Sequence, residues 1–106
     1  MPYITLVAYP DTPDITFDET YYVQKHVPMV FQHWKQYGLL DWKVISFDKN
    51  PDGSRTYIAT SYMTWESIES FNKAMTSDTV VLMVEDLKNF SNKEPVILNG
   101  SVIGSG

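Results

Sequence analysis

Residues 17–40 read FDETYYVQKHVPMVFQHWKQYGLL, and the rest of the chain is best read outward from them. Asp18 is a good N-cap, and Glu19 places a negative charge at the positive end of a helix dipole. Gly38 supplies a stop, so a helix is predicted from Glu19 to about Tyr37. At 3.6 residues per turn, Tyr22, His26, Met29, Val30, His33 and Tyr37 gather on one broad stripe, the side an amphipathic helix turns toward the core. His26 should face inward. Pro28 lacks a backbone donor and clashes with the preceding turn, so the helix is expected to break or kink near His26, freeing the carbonyls around residues 24 and 25. Those carbonyls would need a partner or water, and a hydrated notch beside an imidazole would suit a small polar molecule.

On the N-terminal side, residues 2–9 read as a strand, with Ile4, Leu6 and Ala8 on one face and Tyr3, Thr5, Val7 and Tyr9 on the other. On the C-terminal side, residues 41–47 and 57–63 are rich in aromatic and β-branched side chains. The connection between them, DKNPDGS, carries every mark of a hairpin turn. Thr64 is expected to cap a second helix presenting Trp65, Ile68, Phe71 and Met75. After Ser77 and Asp78, a further helical stretch puts Val80, Met83, Val84 and Leu87 on one stripe. Residues 89–94 read as loop, 95–103 as a last strand, and 104–106 as a flexible tail.

The order βαββαβ predicts an α+β, ferredoxin-like antiparallel sheet with its helices on one face, a single domain over residues 1–103. The strands carry bulky apolar groups on both faces. Helices can cover only one, so a second copy of the chain is expected on the other, closing a homodimer by sheet-on-sheet packing.

Composition excludes several classes. A chain of 106 residues can hold one core, and 14% aromatic content is enough to line a cavity as well as fill that core. The net charge of -5, with eight scattered Lys and Arg, argues against a nucleic-acid partner. With no cysteine, disulfides, thiolate nucleophiles and Cys-ligated metals drop out, which fits a cytoplasmic location. The N-terminus does not resemble a signal peptide, and no run is long enough for a membrane span. A shared metal on His26 and His33 fails on geometry, since seven residues of helix separate them by about 10 Å. No Walker loop, GxGxxG, HExxH or nucleophile elbow is present, so no nucleotide or nicotinamide cofactor is expected.

The segment Phe17-Asp18-x-x-Tyr21-Tyr22-x-x-x-His26-x-Pro28-Met29, the following Tyr37-Gly38-Leu39 and the later Asp86-x-x-Asn89-Phe90 resemble the EthD-like family of the dimeric α/β-barrel superfamily, over roughly Tyr3 to Leu98. The family is named for a protein associated with bacterial degradation of ethyl tert-butyl ether, and similar fungal proteins act as dehydratases or decarboxylases on aromatic polyketides. The resemblance implies that two sheets close a barrel across the dimer, with each pocket between a subunit's helices and its own sheet. It also implies that His26 is the functional residue, with Tyr21, Tyr22 and Pro28 as motif neighbours. Met29 stands where leucine is common.

An imidazole titrates near neutrality, so His26 could take a proton from a bound aromatic substrate and return it to a leaving hydroxyl, with Tyr22 orienting it or donating to an oxyanion. These two are the catalytic candidates. Tyr21, Met29, Val30, His33, Asp86 and Phe90 are the substrate-binding candidates, although His33 also reads as a partly exposed helix histidine and Asp86 as a loop-organising acceptor. A purely structural His26, donating to a carbonyl freed by Pro28, fits equally. The expectation is a cofactor-free lyase or isomerase that dehydrates, decarboxylates or isomerises an aromatic or cyclic ketone-like metabolite. Its rivals are a non-catalytic accessory protein holding a hydrophobic small molecule, and a haem-binding protein or cofactor-free oxygenase.

Overall fold

A computed structural model describes residues 2–106. Strand β1 (Tyr3–Pro10) leads into α1 (Glu19–Tyr21), whose N-cap Asp18 accepts the Tyr21 N–H at 3.0 Å. A π-helical turn (Tyr22–His26) follows, then α2 (Val27–Trp34) and a 3₁₀ turn (Lys35–Tyr37). Strands β2 (Leu39–Ser46) and β3 (Tyr57–Trp65) form the predicted hairpin, closed by Asn50 N–H to Ser54 O at 2.7 Å. Next come α3 (Ile68–Met75), α4 (Val80–Asp86), a 3₁₀ turn (Leu87–Asn89) and β4 (Val96–Ser101). The strands pair antiparallel in the order β2-β3-β1-β4, which is the ferredoxin-like arrangement expected from the order of elements.

Two local expectations are corrected. The helix does not break at Pro28. The Val27 N–H reaches the carbonyl of Tyr22, five residues back, and this wider turn absorbs one extra residue. Pro28 then stands in the first turn of α2, and the helical path continues past it to Trp34. The second correction concerns Trp65, which ends β3 instead of opening a helix, while Ser67 rather than Thr64 caps α3 by accepting the Ser70 N–H at 3.3 Å. Trp65 is held in the sheet opposite Tyr3 and Leu39, fully buried, with its indole donating to Thr5 Oγ1 at 3.0 Å. Burying so large a ring outweighs the local preference for a helix start.

Register divides the sheet cleanly. Thr5, Val7 and Tyr9 of β1, with Ala59, Ser61, Met63 and Trp65 of β3, face the helices. Ile4, Leu6 and Ala8 face away, with Ile45 of β2 and Leu98 of β4 sharing that outer face, 43% and 52% exposed. Among the described residues no helix is long and apolar enough to cross a membrane.

Gly38 joins the long helical segment to β2 at φ +112°, and a Cβ there would run into the Ser70 side chain. Its carbonyl also accepts the Glu66 N–H at 2.8 Å. Gly38→Ala should therefore cost about 2–4 kcal/mol in chemical denaturation. Gly53→Ala has a similar φ of +86° but open space around the new methyl, and should cost only about 1–2 kcal/mol.

Candidate active site

The helical segment and the C-terminal end of α4 meet at one side-chain pair. His26 Nδ1 lies 2.8 Å from Asp86 Oδ2, and the other carboxylate oxygen accepts the Tyr21 hydroxyl at 2.7 Å and the Asn89 amide at 2.8 Å. An ionised carboxylate can only accept, so Nδ1 carries the proton and Nε2 keeps its lone pair. The ring is packed tightly, stacked on Tyr22 (centroids 5.5 Å apart, planes at 16°) and 4.5 Å from Phe90.

Burial pulls the His26 pKa below 6.5, against the opposing pull of the Asp86 hydrogen bond and charge. The imidazole is therefore neutral at neutral pH and available as a base. Burial pushes Asp86 upward, but the hydrogen bonds from Asn89, His26 and Tyr21 outweigh it and hold the carboxyl below the usual range. Burial raises the Tyr22 phenol to about 12, so that it stays a donor.

His26 and Tyr22 open onto a cavity of about 310 Å³ between the helices and the sheet. Its walls are mainly apolar, with Val27, Val30 and Trp34 from α2, Met63 from β3, and Met83 from α4. The stripe of Val80, Met83, Val84 and Leu87 read from the sequence supplies one side. The lining contains no Lys or Arg, and its one carboxylate is Glu94.

The sequence candidates divide into three groups. His26, Tyr22 and Val30 line the cavity. Tyr21, Asp86 and Phe90 stand behind the imidazole, where Asp86 fixes it through a hydrogen bond, Tyr21 donates to Asp86, and Phe90 packs on the ring. Met29 and His33 are not among the cavity-lining residues, because the π-turn shifts the helical phase and hands the inward positions to Val27, Val30 and Trp34. The sequence reading missed Ser61. Its signal was a hydroxyl in the helix-facing register of β3, between Ala59 and Met63.

No protein-family model and no curated protein matches the sequence. Solved structures do. An EthD-like protein from Ralstonia eutropha JMP134 superposes with a TM-score of 0.84 at 22% identity, covering 99% of this chain and 95% of that one. The chain has the fold of the EthD-like, dimeric α/β-barrel proteins. An ethyl tert-butyl ether degradation (EthD) family protein from Bacillus halodurans C-125 aligns at TM-score 0.72 and 21% identity over 97% of this chain and all of its own. A hydroxynitrile lyase from Passiflora edulis aligns at 0.65 and 14% over 99% and 96%.

Because the folded chain resists protonating His26, stability should fall as pH drops below 6.5 toward the lowered folded value, as the unfolded state takes up the proton first. By NMR, the His26 ring should titrate below 6.5, and Asp86→Asn should move the midpoint lower still by removing the groups that raise it. A midpoint that stayed put or rose in that variant would contradict the assigned pairing.

Proposed function

We propose that this chain belongs to the EthD-like family and works as a homodimeric, cofactor-independent lyase or isomerase on a neutral aromatic or cyclic ketone-like metabolite. The observation that carries the reading is the Asp86-oriented, neutral imidazole of His26 at the wall of an apolar cavity. A cavity of this size is at the small end of ligand pockets, enough for a compact ring system. A charged substrate would find no cationic side chain in the lining to offset its desolvation. This favours dehydration or isomerisation over a decarboxylation that starts from a buried carboxylate. The lyase name of the Passiflora relative in fold is in keeping with that class.

The chemistry follows from the pair. His26 Nε2 removes a proton from the carbon next to a carbonyl, and the resulting imidazolium is stabilised by Asp86. Tyr22, still protonated, donates to the carbonyl oxygen as negative charge builds there. Collapse of the enolate expels a hydroxyl from the adjacent carbon, and the same proton leaves on it as water; returned instead to another carbon, it completes an isomerisation. Asp86 and Tyr21 act as positioning residues.

The outer sheet face supports the homodimer. Leu6, Ile45 and Leu98 share it, Ile45 and Leu98 exposed and Leu6 half-buried, a surface suited to a second copy.

Assayed on a panel of cyclic hydroxyketones, His26→Ala should lower kcat by about 10²–10⁴-fold while leaving affinity within a few-fold. Unchanged turnover would overturn the assignment, and binding without turnover by the native protein would make it a carrier. Asp86→Asn should lower kcat as well and move the acid limb of its pH profile downward. Sedimentation should give twice the 12.2 kDa chain mass, and Leu98→Lys should shift it toward one chain.

A further inference from the structure

Ser61 lies at the middle of β3, 1% exposed, between Val7 and Val44 on the neighbouring strands. Its Oγ is the only buried side-chain polar atom among the described residues without a hydrogen-bond partner. The other buried serine and threonine hydroxyls are all engaged. Thr5 accepts the Trp65 indole and donates to Asn99, Thr60 donates to the Ser61 carbonyl, Ser70 meets Ser67, and Ser91 donates to the Lys93 carbonyl. Buried hydroxyls are nearly always satisfied, and alanine would sit at this apolar position without penalty. The hydroxyl also lines the same cavity as His26.

Tyr22 separates the two. Its ring stacks on His26, while Ser61 lies near enough to its phenol to draw the phenol's pKa down against burial, although the Ser61 Oγ has no aligned hydrogen-bond partner. The cavity thus carries polar groups on either side of the Tyr22 ring, the His26 imidazole and the Ser61 hydroxyl.

We infer that Ser61 is a specificity-determining anchor, and that the ligand is a flat, neutral ring compound oxygenated at both ends. One oxygen is held by Ser61, and the other end is presented to His26. The inference rests on the proposed reading of the cavity as a ligand site, but it concerns binding and not the proton transfer.

Two probes separate these questions: a dihydroxynaphthalene with hydroxyls at opposite ends of the ring pair, and naphthalene itself, with binding followed through quenching of the cavity-lining Trp34. Ser61→Ala should weaken the diol about 2- to 12-fold and leave naphthalene unchanged or slightly tighter. It should melt no lower than the native protein, since no protein hydrogen bond is lost. An equal loss for both probes would reduce Ser61 to packing, and no loss for either would overturn the anchor, as would failure of the native protein to bind the diol. If the discrimination holds while His26→Ala leaves turnover untouched, the anchor stands and the catalytic reading falls; the converse result sinks the anchor alone.

Discussion

The short bond between His26 and Asp86 is the constraint around which the site is arranged. The two residues are sixty positions apart in sequence, and their contact fastens the first helical segment to the end of α4. Neither partner would be stable alone in so buried a place. A buried imidazole needs its Nδ1 proton accepted, and a carboxylate drawn partly out of water needs the donors that His26, Tyr21 and Asn89 provide. The pair fixes the tautomer and leaves the far nitrogen its lone pair, in a ring that lines the cavity. Backbone ties reinforce it: Asp18 N–H donates to the Phe90 carbonyl at 2.7 Å, and Phe17 bridges to Ser91, so the loop after α4 is bound to the start of α1.

Around that bond the aromatic residues form a single packed group. Tyr9, Phe17, Tyr22 and Phe90 meet pairwise with centroids 4.8 to 6.0 Å apart, mostly tilted or edge-on, the arrangement the ring quadrupole favours. These rings shield one side of the imidazole from water and so produce the lowered pKa. The other side is left to the cavity, whose remaining walls are aliphatic. A base kept neutral and dry on one flank and open on the other is suited to moving protons on a carbon framework, and the absence of cations in the lining narrows the molecules that would enter.

Pro28 shows how a local rule can be right about cause and wrong about outcome. The ring does forbid a regular helical turn at that point. The chain answers with a π-turn, not a break, and the Val27 N–H bonds to the Tyr22 carbonyl so that the helical path runs on. The extra residue then changes which side chains look inward downstream, so Val27 and Trp34 take positions that a constant 100° step assigns to Met29 and His33. Trp65 teaches the same lesson in the sheet, where burial against Tyr3 and Leu39 overrides the capping signal of Thr64.

The sequence by itself determined the order of elements, the hairpin between β2 and β3, the Asp18 cap, the Gly38 stop, and the inward turn of His26, because each of these rests on contacts or periodicities within a few residues. It also showed Val80, Met83, Val84 and Leu87 as one stripe. Only the tertiary structure decided that Asp86 and Tyr21 stand behind the imidazole, that Met29 and His33 lie off the cavity, and that Ser61 enters it unpartnered. These depend on how separate elements pack and on one inserted residue of helical phase, which no local pattern records.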